Sequence, residues 1–317
     1  MSTQQTAPTT YISTAPGVTT AYRLLQPSSP TTKIPLLLHI HFRANMDFWD
    51  PAFINPLAQH RPLLLFDQPG TGRSTGTVAT TFAGWASSAA ALLTALEIEK
   101  CDVLGFSMGG CCVQMLALGW PGLVRKLILA GTGASAPPEG FEGRGSGLVW
   151  PRDVPPRWAI AGLASARGRV QMEEAIRWSF FPGNEEGASA ARRYWGRVYE
   201  RKGVAAGKEE EEGLWELLGD EGSARQREAY AEWMRPNPGN SFERLGELKM
   251  PVLVVNGVED LLIPTSRSWE LVKGIRDAGL IVYRGAGHGF LWQYPKEVAG
   301  DVGRFLDGGS GGMKARM

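Results

Sequence analysis

The sequence predicts an α/β fold: a mostly parallel sheet with an antiparallel hairpin at its N-terminal edge and an inserted helical segment. Three observations carry this expectation. Short apolar runs alternate with helix-like patterns, as in chains that cover a parallel sheet with helices. The first two strand-like stretches are joined by a tight Pro16-Gly17 turn, with no helix between them. The alternation then breaks off between residues 133 and 248, where amphipathic patterns follow one another without strands.

Taken in order, Tyr11–Thr14 and Val18–Leu24 read as the hairpin. Strands are expected near 35–40, 62–66, 101–106, 126–130, 251–256 and 279–283. The run Pro251-Val-Leu-Val-Val255 is almost continuously apolar, the mark of a strand buried on both faces. Helices are expected over Phe82–Ile98 and Pro295–Leu306, and within the insertion over Val170–Phe181, Ala188–Lys202, Glu209–Leu218 and Ala224–Met234. The insertion holds Trp150, Trp158, Trp178, Trp195, Trp215 and Trp233, over half of the chain's 11 tryptophans. A helical cap rich in aromatics implies an apolar pocket beneath it. The organisation expected is a disordered start (1–10), a core built from 11–132 and 249–307, a cap over 133–248, and a flexible tail (308–317).

Chemistry concentrates at three strand ends. Gly105-Phe106-Ser107-Met108-Gly109-Gly110 follows the apolar run 101–104 and leads into a helical pattern, giving strand, sharp turn and helix with a serine at the turn. That G-x-S-x-G context exposes a serine hydroxyl clear of the sheet and aims the helix's first N–H groups at developing negative charge. Asp260 lies in the loop after the strand ending near 256, where ligands bind in open α/β sheets. His288, between Gly287 and Gly289, follows the strand ending near 283, and it alone of four histidines has that setting. A serine needs a base to take its proton, imidazole titrates in the working range, and a buried carboxylate holds its tautomer. The strand-turn-helix setting of Ser107 outweighs an ordinary turn serine, whereas taken singly Asp260 would more often be a turn or capping residue and His288 a surface loop residue. Their order and shared position at strand ends favour one site. Glu259 is the competing acid, and an extended backbone points its side chain the other way.

These segments, with Asp67-Gln68-Pro69-Gly70-Thr71-Gly72-Arg73-Ser74, resemble the α/β-hydrolase superfamily over roughly residues 11–307. Within it the chain looks most like the cofactor-free haloperoxidase and esterase branch, including fungal members of secondary metabolism. The resemblance implies an α/β-hydrolase sheet with Ser107 as nucleophile, His288 as general base and Asp260 as its orienting acid. It also implies an oxyanion hole from the backbone N–H groups of Met108 and Phe42. The family usually carries His-Gly before the second donor, whereas this chain has Ile40-His41, so His41 and Phe106 are expected to line the substrate pocket. The activity implied is cleavage of an ester or thioester of a hydrophobic small molecule, such as a polyketide-type metabolite, through an acyl-serine. Perhydrolysis by the same triad, a non-catalytic ligand-binding role, and lyase or cyclase chemistry are the alternatives.

Composition fits that reading. A net charge of +1 with interspersed acids and bases offers nothing to nucleic acid. No run is long enough to span a membrane, and the polar start lacks a signal-peptide core. Three cysteines make no disulfide framework, which points to a reducing compartment. The cytoplasm is expected, with the peroxisome as alternative from the terminal Ala315-Arg316-Met317. His39 and His41 lack a third ligand at metal-binding spacing. The glycine-rich stretches after 70 and 131 lack the features of nucleotide loops, so no cofactor is expected. Nothing fixes the oligomeric state.

Overall fold

The computed structural model describes residues 2–141, 157–204 and 210–308. Its strands are β1 (Thr10–Ala15), β2 (Val18–Leu25), β3 (Leu36–His39), β4 (Leu63–Phe66), β5 (Cys101–Phe106), β6 (Val124–Ala130), β7 (Lys202–Val204), β8 (Glu210–Glu212), β9 (Val252–Gly257) and β10 (Ala278–Tyr283). Eight of them form one sheet in the order β1-β2-β4-β3-β5-β6-β9-β10. β1 and β2 pair antiparallel across Gly17, whose φ of +74° suits the turn, and β2 pairs antiparallel with β4. From β4 onward every pairing is parallel. β7 and β8 form a separate two-stranded ribbon.

The helices are α1 (Pro51–Ala58), α2 (Phe82–Ala95), α3 (Met108–Gly119), α4 (Arg157–Ser165), α5 (Gly168–Phe180), α6 (Glu185–Val198), α7 (Asp220–Trp233), α8 (Thr265–Gly274), α9 (Phe290–Gln293) and α10 (Pro295–Asp307). Because side chains alternate across a strand, the sheet feeds two cores. Leu36, Leu38, Leu104, Ile128, Leu253 and Val255 pack with α1, α9, α10 and α4–α6. Leu37, Val103, Leu127, Leu129, Val252 and Val254 pack with α2, α3, α7 and α8. Helices thus cover both faces, and α4–α7, between β6 and β9, contribute to both cores.

Two expectations meet a different outcome. Residues 2–9 do not hang free: Gln4 and Ala7 are buried, the Gln4 N–H donates to Asn55 Oδ1 (2.8 Å), and Arg201 donates to the Gln4 and Ala7 carbonyls (2.5 and 2.9 Å). An arginine nearly two hundred residues away satisfies backbone that composition alone leaves to water. The helix expected over Glu209–Leu218 is absent from 210–218, where β8 is followed by non-helical chain. There the Leu214 N–H donates to Asp47 Oδ2 (2.7 Å), the Leu218 N–H to the Arg43 carbonyl (2.9 Å), and Asn45 Nδ2 to the Leu214 carbonyl (2.9 Å). Tertiary partners have replaced the intrahelical ones. Trp150 and the Ala315-Arg316-Met317 tripeptide lie outside the described residues. Among the described residues no helix is long and apolar enough to cross a membrane.

Candidate active site

The elbow after β5 places its strain on the serine itself. Ser107 has φ 58° and ψ −122°, a rare conformation for a side-chain-bearing residue. It is pinned by its N–H to the Ala130 carbonyl (2.9 Å) and by its own carbonyl, which accepts from Gly110 N–H (2.8 Å). The flanking glycines serve close packing. A Cβ on Gly105 would overlap the Gly109 carbonyl, one on Gly109 the His39 carbonyl, and one on Gly110 the Thr132 side chain. α3 is therefore pressed onto the end of β3, beside the loop that carries Phe42. Ser107 is half-buried, and its hydroxyl makes no capping bond to α3. The Met108 N–H, at the first position of α3, has no intrahelical acceptor and points to the same end.

Asp260 and His288 come together from loops after adjacent parallel strands, β9 and β10. Asp260 Oδ1 accepts from the Leu262 and Ile263 N–H groups, both at 2.8 Å, while Oδ2 accepts from His288 Nδ1 at 2.7 Å. One carboxylate thus folds its own loop and holds the imidazole. Glu259 is exposed and takes no part in that contact. In the neutral ring with the proton on Nδ1, His288 Nε2 carries the lone pair; this nitrogen is buried and has no hydrogen-bond partner among the described residues. The Ser107 hydroxyl is not bonded to it, a looseness common before substrate arrives. Gly257 permits the approach of the two loops, since a Cβ there would overlap the Gly287 and Ala286 carbonyls.

Phe106, adjacent to the serine, stacks on the His288 ring with centroids 4.9 Å apart. On another side Phe180, the last residue of α5, meets it edge-on at 4.8 Å, and the Phe180 carbonyl accepts from the Gly289 N–H (2.6 Å). Gly131, φ +52°, lies under the same ring: a Cβ there would sit 3.1 Å from Phe106 Cε2 and 3.2 Å from His288 Cε1. The cavity at Ser107, about 20 Å³ and walled by Met108, Tyr230, Trp233, Ile263 and Arg267, is large enough for roughly one water.

The two remaining histidines of this region part company. His39 is core, stacked on Trp85 at 5.5 Å. His41 lies among Phe48, Phe106, Phe180 and Trp292, centroids 5.0–6.2 Å away, and its Nδ1 donates to the Phe42 carbonyl (3.0 Å). Burial, with the neighbouring His288 imidazole adding to it, pushes its ring down to about 3. Among the described residues no group of three or more potential metal ligands forms.

Sequence reasoning missed Arg43 and Phe180. Arg43, φ 60°, immediately follows Phe42. It donates to the carbonyls of Leu218 (2.8 Å), Leu163 (2.6 Å) and Ala166 (3.1 Å), and its N–H donates to Gln226 Oε1 (2.7 Å). It fastens the loop after β3 to α4 and α7. Only three-dimensional proximity reveals such a clamp. For Phe180, the aromatic end of an amphipathic helix was the available signal.

A parallel sheet covered on both faces, with polar groups gathered at its carboxyl ends around a strained elbow, is the architecture of a hydrolytic enzyme. The chain belongs to the alpha/beta hydrolase fold family, which matches residues 35–295. An alpha/beta hydrolase fold protein from Chitinophaga pinensis is 31% identical, with a TM-score of 0.79 over 97% of this chain and 100% of its own. A poly(3-hydroxyalkanoate) depolymerase from Ectopseudomonas oleovorans is 28% identical over 276 residues, 86% of this chain and 84% of its own length. The enol-lactonase from Burkholderia xenovorans LB400 shares the fold: TM-score 0.69 at 19% identity, over 94% of this chain and 100% of its own.

Proposed function

We propose that the protein is a serine hydrolase that cleaves an ester or thioester of a hydrophobic small molecule through an acyl-serine. The observation that carries this is the Asp260–His288 contact, which occupies Nδ1 and turns the ring's other nitrogen, unpartnered among the described residues, into the free one on a ring stacked against the residue next to the strained Ser107. In the first half-reaction the Ser107 oxygen bonds to the substrate carbonyl carbon while His288 Nε2 takes the hydroxyl proton. The carbonyl oxygen becomes an oxyanion held by the Met108 and Phe42 N–H groups. The bond to the leaving alcohol or thiol breaks, and that group takes the proton from His288. Water then attacks the acyl carbon, gives a proton to Nε2, and releases the acid as the proton returns to Ser107. Asp260 remains ionised and stabilises the imidazolium. A poly(3-hydroxyalkanoate) is a polyester, so the depolymerase relative supports ester chemistry. The α4–α7 insertion acts as the cap over the site, its aromatic rings selecting apolar substrates.

A fluorophosphonate probe followed by intact mass tests this. One adduct on the wild-type protein, missing from Ser107→Ala and His288→Ala, is expected. A folded wild-type protein that stays unlabelled by both a bulky and a minimal fluorophosphonate would refute the acyl-serine route.

A further inference from the structure

His41 is buried, 3% exposed, and its hydrogen-bonding state is determined on one side only. A backbone carbonyl can only accept, so the contact to Phe42 O fixes the proton on Nδ1. Nε2 is then a lone pair, and among the described residues no group hydrogen-bonds to it. The His41 ring is packed by aromatic rings, two of which, Phe106 and Phe180, also pack on His288, and it borders a small cavity shared with Gln68, Thr71 and Gln226. A third ring, Trp292, lies 5.4 Å from His41 and has an Nε1–H that is likewise buried and has no partner among the described residues. A purely apolar acyl pocket has no use for a bare acceptor and a bare donor among its rings, and leaving them so is costly. A hydroxyl group can donate to such an acceptor.

We infer that His41 Nε2 accepts a hydrogen bond from a substrate hydroxyl lying within a few bonds of the scissile carbonyl, so that the preferred substrates are hydroxy-substituted esters. This deepens, and rests on, the serine-hydrolase reading. The position follows from the chain: His41 directly precedes Phe42, whose N–H is assigned to the carbonyl oxygen. Neither Phe nor Leu at position 41 would accept such a bond, and a glycine there would leave no side chain to reach the group. His41 is a specificity residue; it takes no proton in the reaction.

The test compares p-nitrophenyl butyrate with the p-nitrophenyl esters of 2-hydroxybutyrate and 3-hydroxybutyrate, each in both enantiomers. The readout is the ratio of kcat/KM for each hydroxylated ester to that for the plain one. Wild-type enzyme is expected to favour at least one hydroxylated isomer by about tenfold or more, the scale of a buried acceptor gaining or losing its donor. His41→Phe brings that ratio to about one, and His41→Gln, which keeps an acceptor oxygen, retains a preference between the two. Fluorophosphonate labelling of Ser107 is measured on all three proteins. Labelled wild-type enzyme with no hydroxyl preference, or with a preference that His41→Phe leaves intact, overturns the inference and leaves the hydrolase reading standing; a water held at Nε2 would give the first of these. Wild-type protein that is not labelled and hydrolyses none of the esters overturns both.

Discussion

At the scale of single residues, Asp260 carries two tasks that substitution can separate. Oδ1 holds the turn at Leu262 and Ile263, and Oδ2 holds His288. Asp260→Asn keeps an oxygen for the turn but offers the imidazole an N–H donor, which favours the wrong tautomer. Its kcat is expected to fall by about 10³- to 10⁴-fold, with a melting temperature close to wild type. Asp260→Ala loses the turn as well, at a further stability loss of about 1–3 kcal/mol. Steady-state kinetics beside thermal melts of the two variants would expose an error: equal destabilisation of both means that the turn is not held as described. Gly131 makes a second case. Its positive φ costs an L-residue about 1–2 kcal/mol, and the new methyl of Gly131→Ala would press on both Phe106 and His288. The expected variant is modestly less stable and slower in kcat, with the His288 ring displaced; an unchanged kcat would show that the ring has room to spare.

At the scale of elements, the loop after β3 matters as much as the elbow. Arg43→Met keeps the aliphatic stem but removes the guanidinium that holds the Leu163, Ala166 and Leu218 carbonyls. A loss of about 2–3 kcal/mol is expected, less than the sum of individual bonds because such effects are not additive. Limited proteolysis should cut the variant first within α4–α7, with the sheet core surviving; simultaneous loss of all fragments would mean that the insertion is not fastened through Arg43. This element also marks the limit of what the sequence discloses. β5, β6 and β9 were legible because buried parallel strands are apolar runs, and the edge strand β10 because Leu280-Ile281-Val282-Tyr283 is a short apolar run closed by Gly285. Ser107, Asp260 and His288 were legible because each sits just past such a run. The tie between α5 and the His288 loop was not, because the Phe180 carbonyl is a backbone group with no residue signature. The stretch 210–218 was misread as helix because its apolar spacing fits one. Asp47, Arg43 and Asn45, remote in sequence, take its backbone groups instead.

At the scale of the whole molecule, buried titratable groups of opposite sense shape stability against pH. His41 is held down to about 3 and His39 is lowered from 6.5, burial being the main cause in both. Between about pH 3 and 6.5 the unfolded chain holds a proton on position 41 that the folded chain refuses, so this contribution to stability rises with pH. Glu270 runs the other way. Burial pushes its carboxyl from 4.5 up to about 8, the Arg267 guanidinium opposing only in part, and neither carboxyl oxygen has a hydrogen-bond partner among the described residues. Between pH 4.5 and 8 the folded state keeps a proton that the unfolded chain has released, so stability falls as pH rises. Asp67, raised to about 6 by burial, acts in the same sense over a lower range. The histidine and carboxyl slopes therefore oppose one another in mildly acid solution. At pH 6.5 the unfolded histidines are still half-protonated, so their opposing slope fades over about the next pH unit, and toward pH 8 Glu270 stands alone among these four. Wild-type stability from denaturant melts should decline from about pH 7.5 to 8, more gently than the one-proton limit of about 1.4 kcal/mol per pH unit because Glu270 is itself ionising there. Glu270→Gln removes the titrating proton while nearly preserving shape, so its stability should show no decline toward pH 8 and should exceed wild type most at pH 8. A variant that keeps the wild-type slope would mean that Glu270 is ionised and paired with Arg267 in the folded protein, and that the decline has another source.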